Sequence, residues 1–141
     1  MHLHFLMNND EAIEIAANYL EQQGWYIRHR QWEYDHRPLN LVCIDEDMSV
    51  VSFVEIVNDG CMVTPTLDDP IITAAIYIKE YHLENIPIRF DRIYIKPTSD
   101  GSYSIKHIEN TRHIDDPYIF YERLRDKQRV QKITGNTLNI N

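Results

Sequence analysis

Residues 11–33, EAIEIAANYLEQQGWYIRHRQWE, change their hydrophobic period partway through. Before Gly24, the apolar residues Ile13, Ala16, Ala17 and Leu20 stand at i, i+3, i+4 and i+7. That is one face of an amphipathic helix over 10–23. Asn9 or Asp10 caps its start, and Gly24 ends it, because glycine enters the left-handed region without a Cβ clash. Past the glycine, residues 25–33 read as a strand. Trp25, Ile27, His29 and Gln31 alternate with Tyr26, Arg28, Arg30 and Trp32, and neither side is purely apolar. A helix that passes through one glycine into a strand sets an α/β reading, and the rest of the chain extends it.

Residues 34–38 form a turn, with Pro38 suited to a strand's first position. LNLVCI (39–44) and VVSFVEIV (50–57) are apolar strand runs, joined by a solvated acidic hairpin tip, Asp45-Glu46-Asp47. Residues 58–68 lack periodicity and read as a loop. Asp69-Pro70 then starts a helix running to about His82, with Ile71, Ala74, Ala75 and Ile78 as its stripe. IRFDRIYIK (88–96) alternates strictly, Ser99–Ser102 is a turn with Asp-Gly at its tip, and SYSIKHIE (102–109) returns. Asp116-Pro117 repeats the helix start for a helix over 117–132. The expected fold is therefore α/β in the order αβββαββ. It comprises one mixed β-sheet of about five strands flanked by helices, plus a C-terminal helix.

The 141 residues carry 14 Lys+Arg and 22 Asp+Glu, a formal charge of −8. Residues 112–141 hold six Lys/Arg and four acids, a net of +2, which leaves −10 on 1–111. The expected organisation is a body over 1–111 and a helical tail over 112–141. The acidic balance disfavours nucleic acid, whose non-specific binding depends on clustered Lys and Arg. No apolar run is long enough to span a membrane, and MHLHFLMNND has no signal-peptide character. Cys43 and Cys61 make no disulfide framework or CxxC site, so a reducing cytoplasm is the expected location.

The stretch 11–33 also resembles the opening of the bacterial YraN family through Ala16, Ala17, Tyr19, Leu20, Gly24 and Trp25. The resemblance continues in order through HRPLNLVCIDED (36–47), SFVEIV (52–57), IRFDRIYI (88–95) and IKHIEN (105–110). It implies a restriction-endonuclease-like fold and a PD-(D/E)xK site, in which carboxylates hold Mg²⁺ or Mn²⁺ and a lysine assists. Carried over position by position, the family's helix glycine and glutamate fall on Ala12 and Ile13. Its acid-x-Asp falls on Pro38-Leu39-Asn40, and its Glu-x-Lys on Glu55-Ile56-Val57. Only Glu55 keeps its charge; Asn40 keeps an oxygen, and Val57 keeps neither.

These departures imply a degenerate nuclease that is not an enzyme and acts by binding. No cofactor is expected, with Mg²⁺ or Mn²⁺ held only if the vestigial Asn40, Glu55 and Val57 positions still work and Glu55 ligates. The alternative is a weak metal-dependent endonuclease, or a nucleic-acid binder, retaining Glu55 and Asn40. Trp25, Arg28, Arg30 and Trp32 combine aromatic rings with cations, the pattern of a base-stacking surface. Against this stands packing of the same rings on the helix at 10–23. Lys79 reads as a solvated helix residue, Cys43 as a buried small hydrophobe, and His2 and His4 as an exposed N-terminal start. Asp91 is placed to pair with Arg89 or Arg92. The basic tail helix points to a homodimer or a protein partner.

Overall fold

The computed structural model describes residues 7–58 and 70–112. Helix α1 (Asn9–Gln22) is capped by Asn8, whose Oδ1 accepts the Glu11 N–H at 2.8 Å. The cap thus falls one residue before the positions expected for it. Asp10 and Glu11 in the first turn suit the positive end of the helix dipole. At the other end, Gly24 sits at φ +88°, its N–H donates to Glu21 O, and Trp25 N–H donates to Leu20 O, both at 3.0 Å. These two bonds make a complete Schellman stop, which requires a left-handed residue at position 24.

Strands β1 (Tyr26–Tyr34), β2 (Arg37–Ile44), β3 (Val51–Asn58), β4 (Ile88–Pro97) and β5 (Tyr103–Arg112) form one sheet in chain order, with α2 (Pro70–Glu80) between β3 and β4. All neighbours are antiparallel except β3 and β4, which are parallel. A parallel pair needs a crossover connection, and α2 lies within it. The expected order αβββαββ and mixed sheet hold among these residues. The first hairpin is tighter than expected, because Asp35 and His36 both take positive φ and let β2 begin at Arg37.

Each helix covers one face. Ala12, Ile13, Ala16, Ala17 and Leu20 of α1 pack on Leu41, Cys43, Val54, Ile93 and Ile95. Ala74, Ala75, Tyr77 and Ile78 of α2 pack on Leu39, Val42, Phe53 and Phe90. Leu39 and Leu41 belong to opposite clusters although they are two residues apart, so β2 reverses its faces at Asn40.

β1 also departs from simple alternation. Its register with β2 shifts between Ile27 and His29, and Gln31 has φ +49°. A bulge adds one residue and turns the following side chains over. Ile27 therefore lies on the α1 side, whereas His29 reaches Tyr77 of α2.

Asp45 corrects the expectation of a solvated tip. It is only 7% exposed and accepts the N–H groups of Ser49 (2.8 Å) and Val50 (3.0 Å). Burial works to raise its pKa, but these bonds outweigh it and bring the carboxyl below its ordinary value. Glu46 and Asp47 remain exposed. His2, His4, Cys61, Asp69, the helix expected over 117–132 and the tail beyond Arg112 lie outside the described residues. No described helix is long and apolar enough to cross a membrane.

Candidate functional site

The β2–β3 ladder pairs Leu41–Ile44 with Val51–Val54 and then stops. Beyond it the Asn40 side chain takes over, its Oδ1 accepting the Ile56 N–H at 2.8 Å. Where the strands part, a cavity of about 80 Å³ opens on the α2 face. Asn40 and Glu55 both line it, so two of the three vestigial positions converge. Val57 is not among the lining residues; it is half-buried and stands opposite Tyr94 in the β3–β4 register. Ile13, at the family's glutamate position, is buried on the sheet-facing side of α1.

Parallel pairing sets Glu55 beside Arg92, as it sets Phe53 beside Phe90. Arg92 Nη2 lies 3.0 Å and Nε 3.1 Å from Glu55 Oε1, and Arg92 Nη1 also donates to Tyr94 Oη at 3.3 Å. The two side chains are 28% and 31% exposed, so water screens the pair only in part. The remaining polar lining is Asp91, together with residues that sequence reading did not single out: Arg37 at the start of β2, Thr73 in α2 and Thr111 in β5. The available signal was Arg37 beside Pro38, at the family's acidic position.

Trp25, Arg28, Arg30 and Trp32 do not share a face. On the α1 side, Trp25 is buried with the Arg89 guanidinium 5.1 Å over its ring. On the same side Arg30 Nε pairs with Glu14 at 2.8 Å. On the α2 side, Arg28 lies 5.7 Å and 5.4 Å from the Tyr77 and Tyr81 rings, and Trp32 meets both edge-on. Tyr77 Oη and His29 Nδ1 are 2.7 Å apart. Burial pushes the Tyr77 hydroxyl up to about 12, and burial followed by nearby Arg28 lowers the His29 pKa, so both groups are neutral at pH 7. Exposed Lys79 and buried Cys43 stand as expected, and burial pushes the Cys43 thiol up to about 12.

Asp91 pairs with Arg89 through two 2.8 Å bonds. It also accepts from His107 Nε2 at 2.8 Å and from the Asn110 N–H at 3.0 Å. Asn110 has φ +59° within the irregular stretch of β5, where Phe90–Arg92 face Arg112–Ile108. The carboxylate thus secures a bulge; it also borders the cavity, where its oxygens are taken up by these partners.

No family model matches the sequence. Curated relatives do match. A UPF0102 protein of Bacteroides thetaiotaomicron is 31% identical over 101 residues, covering 67% of this chain and 82% of the relative. A UPF0102 protein of Porphyromonas gingivalis is 30% identical over 105 residues, covering 69% and 77%. One from Bacteroides fragilis is 28% identical over 103 residues, covering 68% and 84%. At this identity and coverage, over the same helix–strand order, the chain belongs to the UPF0102, or YraN, family.

Proposed function

We propose that this chain is a non-catalytic member of its family, a nuclease-like domain that acts by binding and not by metal-dependent cleavage. The observation that carries this reading is that both surviving oxygen donors are already engaged. Glu55 is held by Arg92, and Asn40 Oδ1 serves the Ile56 backbone. Mg²⁺ and Mn²⁺ need several oxygen ligands with carboxylate charge among them. A carboxylate neutralised by a guanidinium, beside a neutral amide and a second carboxylate, Asp91, already bonded to Arg89, His107 and Asn110, does not fit such an ion. Among the described residues no group of three or more His, Cys, Asp or Glu is arranged to hold a metal. Val57 brings no charge to the lysine's position.

Calorimetric titration with Mn²⁺, together with cleavage assays on duplex, single-stranded and branched substrates, tests this reading. The expected result is no binding heat and no cleavage. Cleavage that is lost in Glu55→Ala would establish a rebuilt metal site and overturn it.

A further inference from the structure

The same cavity is rich in hydrogen-bond donors on a chain of charge −8. Arg37 lines it half-buried and makes no ion pair among the described residues, unlike Arg30, Arg89 and Arg92. Holding a guanidinium partly out of water with no partner is costly unless something answers its charge. Thr73 is 2% exposed and also lines the cavity, and its hydroxyl has no hydrogen-bond partner among the described residues. Ser52 Oγ is the single sealed, unbonded side-chain atom among those residues, so the Thr73 oxygen is open to the cavity. The Asn40 amide nitrogen remains free to donate once its oxygen is spent on Ile56. Pro70, at the start of α2, also borders the space, bringing the positive end of that helix to it.

Two carboxylates bear on this cavity, and neither leaves it negative. Glu55 is neutralised by Arg92, and Asp91 is taken up by Arg89, His107 and Asn110. The size is selective too. Since roughly 10–15 Å³ of such space holds one water, about 80 Å³ suits a group of a few heavy atoms and is too small for a nucleoside.

We propose that this cavity binds a small tetrahedral oxyanion of the phosphate type directly, without a metal ion, through Arg37, Thr73 and Asn40. This rests on reading the cavity as a binding site and not a metal centre. The anion is either free phosphate or the terminal phosphate of a larger molecule that stays outside the cavity.

The test is calorimetric and phosphorus-NMR titration of the full chain with inorganic phosphate in the presence of EDTA. The expected result is saturable, single-site binding, weakened roughly tenfold or more in Arg37→Ala, as loss of a charged hydrogen bond requires. Thr73→Val should weaken it by a smaller factor, and Arg37→Lys should keep part of the affinity. Arg37→Lys also serves as the second variant if Arg37→Ala does not fold. Thymidine 5′-monophosphate distinguishes the sources: binding at least as tight as phosphate marks a terminal phosphate, and weaker binding marks the free ion. Absence of saturable binding at millimolar phosphate would overturn the proposal. Unchanged affinity in an Arg37→Ala protein with a native melting curve would do the same. Because EDTA removes metal, the two failures are distinguishable: absent phosphate binding with no Mn²⁺ heat overturns this proposal alone, whereas Mn²⁺-dependent cleavage overturns the non-catalytic reading on which it rests.

Discussion

Asp91 shows how much one side chain can hold. Its carboxylate is fully buried and accepts from Arg89 twice, from His107 and from Asn110. Burial alone would raise its pKa, but the His107 and Arg89 bonds outweigh it and hold the carboxyl below its ordinary value. A carboxyl with a depressed folded pKa stabilises the fold above its unfolded value of about 3.9, and that stability is lost as pH falls through the folded value. The melting temperature should therefore drop on acidification below about pH 4, with Asp45 contributing in the same direction. Asp91→Asn should cost about 3–5 kcal/mol at pH 7, because it leaves the Arg89 charge with only the exposed Glu109 carboxylate, 3.9 Å away, to answer it. It should also flatten the acid limb of the profile. Melts of both proteins from pH 7 to pH 3 check this, and an unchanged limb in the variant would place the acid sensitivity elsewhere. The pairing with Arg89 was legible in RFDR because the two residues stand on one strand face. The roles of His107 and Asn110 were not, because they come from another strand and depend on a bulge.

Among the elements, the junction of α1 with β1 was the most legible and also where the reading first failed. The stripe Ile13, Ala16, Ala17, Leu20 fixes the buried face of α1, and Gly24 stops it as a glycine at that position must. Gly24→Ala should cost about 1–2 kcal/mol, the price of holding an L-residue in the left-handed region. The added Cβ would meet Glu46 Cβ at 3.4 Å, close to ordinary contact, so backbone strain dominates. A lower urea midpoint with unchanged slope is the expected result. Beyond the glycine, alternation predicted which β1 residues share a side, and the bulge at Arg28 with the left-handed Gln31 undid it. Neither feature has a glycine or proline to announce it. The candidate site was legible only at Asn40 and Glu55. Arg92 reaches Glu55 through the parallel register, and Thr73 arrives on a helix after a long connection. Such encounters are long-range and leave no local periodicity in the chain.

At the scale of the whole molecule, charge is the remaining term. Residues 1–111 carry eight Lys/Arg against eighteen Asp/Glu. Of those eight cations, Arg30, Arg89 and Arg92 are committed to ion pairs, and Arg28 lies over tyrosine rings. Many acids, Glu46, Asp47, Glu80 and Glu84 among them, are exposed with no ion-pair partner among the described residues. Self-repulsion of such a surface opposes the compact state, and salt screens it over about 10 Å at 0.1 M. The partly buried pairs of Asp91 and Glu55 are screened far less, so they should not cancel the gain. The melting temperature should therefore rise as sodium chloride increases from about 0.02 to 0.3 M, most of the change coming at the low end where the screening length shortens fastest. Chloride is the suitable salt because phosphate would add ligand stabilisation on top of screening. A melting temperature that fell with chloride would mean that surface ion pairs outweigh the excess of acids. The same field bears on binding: the acidic surface repels a polyanion at long range, whereas the donor-lined cavity attracts a single phosphate group only at contact. An affinity for phosphate that strengthens with added chloride, up to the point where chloride competes, would follow from that division.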